Sequence, residues 1–328
     1  MIGMCVFGAG RIGSVHAANV ARRNDVKLHY VVDINRKAAQ ALADKCGAKV
    51  STVEEALADK NVQAVIIGTA TDTHADLIVA SAKAGKAIFC EKPVDLDIAK
   101  VNSCLEVVKK TGTRLALGFN RRFDHNFEAL HAGVQAGKIG KLELVCITSR
   151  DPSPPPVEYI KVSGGLFRDM MIHDLDMARW LMGEDPAEVF AYGSCLVDPA
   201  IGKAGDIDTA VVSMKSKSGV LCQISNSRRA VYGYDQRIEV FGSKGMLRAE
   251  NETPTRVEFS GADGVSRDKP LHFFMERYAL AYQRELDDFV DTIKEGRQPR
   301  AGGEDGRWAL LIADAAMESF KTHKPVSL

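Results

Sequence analysis

Met4-Cys5-Val6-Phe7-Gly8-Ala9-Gly10-Arg11-Ile12-Gly13 carries an apolar run into three glycines spaced as G-x-G-x-x-G. The run predicts a strand and the residues after it have helical period, so the glycines fall where a strand turns into a helix. There the first glycine can make the tight turn, the second can admit a pyrophosphate to the backbone, and the third can pack helix on strand. The helix N-terminus would then face the phosphates. A glycine triplet alone is weak evidence, because a purely structural turn can use one. Asp33 makes the pattern specific: it lies 20 residues after Gly13, at the end of Leu28-His29-Tyr30-Val31-Val32, where a carboxylate binds ribose hydroxyls. Its charge would repel the 2′-phosphate of NADP, which favours NAD. Arg36 and Lys37 stand close enough to reverse that preference in principle, although a charged pair opening a helix is commonly a solvated face.

Outward from this loop, β-rich runs at 2–7, 28–33, 63–68, 86–90 and 114–118 alternate with stretches of helical period. Such alternation predicts a doubly wound parallel sheet of the Rossmann type. Ser51 with Glu54 reads as a capping box and Gly85 as a helix stop after 73–84. Beyond Gly118 the pattern changes. A helix is expected at 124–136 and a strand at 141–149. Asp151-Pro152-Ser153-Pro154-Pro155-Pro156 can only be a loop, and a helix follows at 169–182. Several β-rich runs between 187 and 260, separated by Gly, Asp and Ser turns, predict a large antiparallel sheet, and helices near 276–294 and 303–321 close the chain. The expectation is an α/β fold in two domains: 1–120, a Rossmann domain, and 121–328, an α+β domain with a large, mostly antiparallel sheet.

Composition narrows the partner. The 328 residues are 45% hydrophobic, enough for two ordinary cores, and 43 basic side chains match 43 acidic ones. No global field would draw in nucleic acid or an anionic membrane, so a small molecule is expected. Seven cysteines, an odd set without CxxC spacing, read as reduced thiols. The N-terminus shows no basic region or cleavage site, and no apolar stretch reaches the roughly 20 residues of a membrane helix, so a cytoplasmic location is expected.

Ala87-Ile88-Phe89-Cys90-Glu91-Lys92-Pro93 puts Lys92 at the C-terminal end of a buried strand, the side of an open α/β sheet where ligands bind. A surface lysine in a βα turn is the plain alternative. With this tripeptide, Gly8-Ala9-Gly10-Arg11-Ile12-Gly13, Asn120-Arg121-Arg122-Phe123 and Gly164-Gly165 ahead of Asp169-x-x-x-His173, the chain resembles the glucose-fructose oxidoreductase / inositol dehydrogenase family over nearly its whole length. The resemblance implies that Lys92 is catalytic, beside the reacting hydroxyl. It implies that Thr69, Ala70, His74, Glu91, Lys92 and Asn120 join Gly8 to Gly13 and Asp33 around the cofactor. It also implies that subunits pair through the C-terminal sheet, as a homodimer or homotetramer. Thr69-Ala70-Thr71 departs from the family, where many relatives have proline after the first threonine. Arg121 and Arg122 could tie the two domains together.

On a helix, Asp169, His173 and Asp176 would align at i, i+4 and i+7 on one face. Oxidising an alcohol needs a base for the hydroxyl proton, and histidine titrates near neutral pH while a neighbouring carboxylate orients it. His173 is therefore the expected base and Asp169 its partner or a substrate ligand. A core histidine held by an aspartate needs no function, and the three side chains could instead ligate a divalent cation; no other His/Cys cluster has ligand spacing, and the resembled family works without metal. Ser149-Arg150-Asp151-Pro152, Lys161-Val162-Ser163-Gly164-Gly165 and Tyr232-Gly233-Tyr234-Asp235-Gln236 resemble inositol dehydrogenases in particular. A ring of hydroxyls wants side chains that both donate and accept, so Lys92, Asp151, Asp169, His173 and Tyr234 are the expected substrate contacts. Tyr232 and Tyr234 could equally be alternation on a half-buried strand, and Tyr278, Tyr282 and Phe289 read as helix packing. The resemblance implies NAD-dependent oxidation of myo-inositol or a close cyclic polyol. Another sugar or cyclic diol would need only a different pocket, and some relatives sense a ligand without turnover.

Overall fold

Strand β1, Ile2–Phe7, is buried along nearly its whole length, which is why its sequence is a continuous apolar run rather than an alternating one. The computed structural model describes residues 1–328. β1 lies within a six-stranded parallel sheet with β2 (Val26–Val32), β3 (Lys49–Val50), β4 (Ala64–Ile67), β5 (Ala87–Cys90) and β6 (Leu115–Leu117), in the order β3-β2-β1-β4-β5-β6. The order runs outward in both directions from β1 and β4, so their carboxyl ends form the topological switch point at which such sheets bind ligands. β3 has no counterpart in the sequence reading: two edge residues pairing with Tyr30 and Val31 are too few to show a period. The capping box also sits one residue later than expected. Ser51 still gives its amide to Val31 of β2, so the cap passes to Thr52, with Glu55 completing the box.

By contact the chain forms two units, Met1–Phe123 with Ala281–Trp308, and Asp124–Leu280 with Ala309–Leu328. The expected division near residue 120 left 281–308 with the second domain, whereas this segment lies in the first unit. Helix Ala279–Glu295 explains the return. Its Leu286, Phe289 and Val290 are buried among Met4, Val6, Ile66 and Phe89, and burying each such side chain stabilises by about 1.5–3 kcal/mol. An amphipathic period announces an apolar face but not which core it covers.

The second unit is built on a seven-stranded sheet of β7 (Leu142–Arg150), β8 (Pro186–Ser194), β9 (Thr209–Ser216), β10 (Leu221–Ser227), β11 (Asp235–Gly242), β12 (Gly245–Ala249) and β15 (Val326–Ser327). The order is β12-β11-β7-β10-β9-β8-β15, antiparallel except for the β7–β10 pair. β9 and β10 alternate buried and exposed residues, so one face is covered and the other open. A separate exposed hairpin joins β13 (Glu258–Gly261) to β14 (Gly264–Arg267).

The helix expected at 169–182 is not continuous. Leu166–Met170 forms a π-helical turn, in which Met171 gives its amide to the Leu166 carbonyl at 2.9 Å, and the α-helix is Ile172–Met182. Spacing alone cannot announce such an insertion, because the side chains still recur at nearly helical intervals. The proline run is the expected loop, but Val157–Ser163 after it is helical. No helix is long and apolar enough to cross a membrane, and all seven cysteines are free.

Candidate active site

In the first unit, the carboxyl ends of β1, β4 and β5 release Gly8, Gly68-Thr69 and Glu91-Lys92 along one edge of the sheet. Gly8 has φ +101°, where only glycine is unstrained, and a Cβ on Gly13 would stand 1.9 Å from the Gly8 carbonyl oxygen. The turn is thus packed backbone to backbone. A Cβ on Gly10 would meet nothing within 4 Å, so the glycine loop is open on the side where a pyrophosphate needs access. Gly10 also caps helix Arg11–Ala21 without a side-chain hydrogen bond. Asp33 accepts the Ala9 amide at 2.6 Å and the Asn35 amide at 2.7 Å. These features fit a dinucleotide: a cradle that side chains would fill, a helix N-terminus and a carboxylate beside it.

His74 is 2% exposed, and its ring nitrogens contact the carbonyl oxygens of Pro93 at 2.8 Å and Thr69 at 3.2 Å. It therefore braces the Thr69-Ala70 loop against the Lys92-Pro93 turn from inside. Thr69 and Thr73 hydroxyls meet at 2.6 Å, and Thr73 donates to the Ala70 carbonyl, so side-chain hydrogen bonds order the loop that lacks the family's proline. Lys92 is half-buried, and its bond to Pro93 is cis. Glu91 accepts from or donates to His16 Nε2 at 2.6 Å. Asn120 is buried, as are Arg121 and Arg122. Arg122 donates to the Arg300 carbonyl and to Asp305, each at 3.0 Å. These two partners belong to the first unit, where Arg122 clamps the returning segment.

In the second unit, β7 and β10 run in parallel to Arg150 and Ser227, which are paired, and β11 begins opposite Arg150 at Asp235. Asp151, Arg228 and Tyr234 thus share one end of the sheet. Asp151 gives its amide to the Ser227 carbonyl at 3.0 Å. Tyr234 is 5% exposed and meets the Tyr278 ring edge-on at 5.9 Å. Tyr232 is the more exposed of the pair, its hydroxyl held by Asp235 at 2.5 Å and Arg150 at 3.0 Å. Tyr278, Tyr282 and Phe289 are buried, as packing residues should be.

Asp169 and His173 are both half-buried, but Asp176 is sealed in. The π-turn carries Asp169 and the α-helix that starts at Ile172 carries His173 and Asp176, so the three do not stand on one continuous α-helix. Asp169 has partners that periodicity does not reveal. Tyr159 donates to its Oδ1 at 2.9 Å, and the Arg228 guanidinium, 1% exposed, lies 3.7 Å from both Asp169 and Asp206. Asp206 in turn accepts the Leu166 amide at 3.1 Å, which fixes the π-turn. The available signals were an Arg-Arg pair directly after a strand and a tyrosine after a proline run, neither of which has a period.

Comparison with known proteins agrees with this anatomy. Residues 2–119 match the family profile described as oxidoreductase family, NAD-binding Rossmann fold, and residues 132–328 match its C-terminal alpha/beta domain. The chain is 52% identical over 324 residues to a protein of Rhizobium meliloti (strain 1021) named inositol 2-dehydrogenase, covering 98% of each chain. It is 49% identical over 325 residues to one of Thermotoga maritima named myo-inositol 2-dehydrogenase, covering 98% of this chain and 97% of the relative. A crystal structure of a myo-inositol dehydrogenase from Corynebacterium glutamicum ATCC 13032 superposes with TM-score 0.96 at 43% identity, over 100% of this chain and 99% of that one. With both of its domains matched, the chain belongs to the glucose-fructose oxidoreductase / inositol dehydrogenase (Gfo/Idh/MocA) family of NAD-binding oxidoreductases.

Proposed function

We propose that this protein oxidises a ring hydroxyl of myo-inositol, or of a close cyclic polyol, to the ketone with NAD as acceptor. The observation that carries the reading is Asp33 closed onto the glycine loop at a sheet switch point, in a chain about half identical to two proteins named as inositol 2-dehydrogenases. Gly8 to Gly13 and Asp33 would hold the dinucleotide, with Thr69, Ala70, Lys92 and Asn120 toward its nicotinamide and His74 and Glu91 supporting them. Bound NAD supplies the acceptor for the hydride that leaves the ring carbon. The hydroxyl proton is handled by side chains of the protein. His173 accepts it, Asp169 orients the imidazole, and Lys92 donates to the reacting oxygen so that the developing charge is held. Asp151 and Tyr234 would read neighbouring hydroxyls.

The open face of the large sheet carries Tyr192, Val211, Leu221, Phe241 and Met246, an apolar surface suited to a second copy of the chain, as a homodimer or within a homotetramer. Free thiols fit a reducing compartment, and the cytoplasm is the proposed location. The test is absorbance of reduced nicotinamide when protein, NAD and a panel of inositol isomers, sugars and diols are mixed. Turnover with an inositol supports the reading, turnover only with other polyols moves the substrate, and binding without turnover overturns it.

A further inference from the structure

Next to the Lys92 turn lies a cluster of which the proposed function uses only Glu91. His16 comes from the helix opened by the glycine loop, Glu91 from the end of β5, and Glu285 from the returning helix Ala279–Glu295. One donor atom from each lies within 4.8 Å of the others. His16 is fully buried and Glu285 is 1% exposed. The His16 ring is enclosed edge-on by Phe89 at 4.8 Å and Tyr282 at 6.0 Å. Neither Glu285 oxygen has a hydrogen-bond partner, and neither does His16 Nδ1. A carboxylate left ionised in such surroundings is too costly to persist.

We propose that His16, Glu91 and Glu285 form a buried proton-sharing cluster that anchors Glu91 and so fixes the turn carrying Lys92 relative to the glycine-loop helix. Burial, and then the charge of Glu91, push the Glu285 carboxyl well above the ordinary carboxylate range. A neutral Glu285 would supply one O–H, and the Glu91 carboxylate and the His16 ring, each with an atom within 4.8 Å of a Glu285 oxygen though hydrogen-bonded to neither oxygen, are the acceptors it would serve. His16 and Glu91 are the titratable groups that face it from the other two elements; Tyr282 faces the His16 ring from Glu285's own helix. A divalent cation is the competing occupant. The His16 Nε2 to Glu91 Oε1 distance of 2.6 Å is a hydrogen bond, shorter than the roughly 3 Å or more between two ligands of one ion bound at about 2.1 Å. The geometry thus favours a proton. The three are positioning residues: Glu91 is the neighbour of Lys92 in the chain, and its amide is held by the Ile67 carbonyl at 2.9 Å, so tethering its side chain leaves the turn little freedom.

The positioning role rests on Lys92 being catalytic; the shared proton does not. Infrared spectroscopy of the NAD-bound protein at neutral pH should show the carbonyl stretch of a protonated carboxylic acid, shifted in D2O and missing in Glu285→Gln. If that band is absent, or persists in Glu285→Gln, the cluster is wrong whatever Lys92 does. Metal retained stoichiometrically by the dialysed protein and lost in Glu285→Gln would also overturn it, in favour of an ion. In turnover, Glu285→Ala should lower kcat about tenfold or more with KM for NAD within about twofold, and Glu285→Gln should restore kcat to within about twofold of the parent. Equal damage by Gln and Ala, or a loss in KM rather than kcat, would refute the positioning role. The infrared measurement decides the proton even if Glu285→Ala does not fold. Lys92→Ala with normal kcat and an intact band would instead remove the catalytic reading and leave the cluster standing.

Discussion

The Asp33 carboxylate takes the backbone N–H of Ala9 at 2.6 Å, joining the acid after β2 to the glycine loop after β1. The same carboxylate is the proposed ribose ligand, so it both shapes the loop and chooses the cofactor. Asp33→Ala should raise the NADP to NAD ratio of kcat/KM by about tenfold or more, because the ribose hydrogen bonds go and the repulsion of a 2′-phosphate is relieved. Steady-state kinetics with both cofactors checks this, and an unchanged ratio would remove Asp33 from cofactor choice.

Lys92 stands half-buried at the carboxyl end of β5, where it can reach a ligand without shaping the dinucleotide cradle. Lys92→Ala is expected to leave NAD affinity nearly intact, measured by fluorescence titration, while kcat falls by at least about 100-fold. Near-normal turnover would return Lys92 to an ordinary turn lysine.

His173 can accept a proton only as neutral imidazole, so kcat/KM for polyol oxidation should rise with pH and level off once the free enzyme's histidine is deprotonated. His173→Asn should remove most of the activity and the acidic limb of what remains. A pH profile with the limb unchanged in the variant would place the base elsewhere.

Stability at low pH should depend on Asp208, which is buried in the second unit. Burial pushes its carboxyl up, but amides of Leu196, Asp198 and Val197 and the Thr209 hydroxyl, at 2.8–3.1 Å, outweigh burial and hold it below the ordinary value. The unfolded chain then binds the proton more readily than the folded one. The contribution is complete above the unfolded value of about 3.9 and is lost as pH falls through the folded value. Asp208→Asn should cost about 1–3 kcal/mol at neutral pH and flatten the acid side of the stability profile; urea denaturation from pH 3 to 7 measures both.

Local features of the first 120 residues made their reading possible. Strands buried on both faces must be continuous apolar runs, and the turn at Gly8 to Gly13 tolerates no Cβ at positions packed against backbone, so strand, loop, helix and Asp33 are written in consecutive residues. Lys92, Asp169 and His173, proposed for the chemistry, could be named from the sequence for the same reason: each lies in a short contiguous motif. Contacts brought together from distant segments were not. Tyr159, Arg228 and Asp206 gather around Asp169 and the π-turn from three separate parts of the chain, and Glu285 reaches His16 from a helix that an apolar period alone could not assign to either core. Periodicity reports which face of an element avoids water, whereas the partner of a buried charge is selected by three-dimensional packing, where burial penalises every unpaired group. That is why the cofactor loop could be read residue by residue, while the surroundings of Asp169 and of the Lys92 turn were decided only when the chain folded.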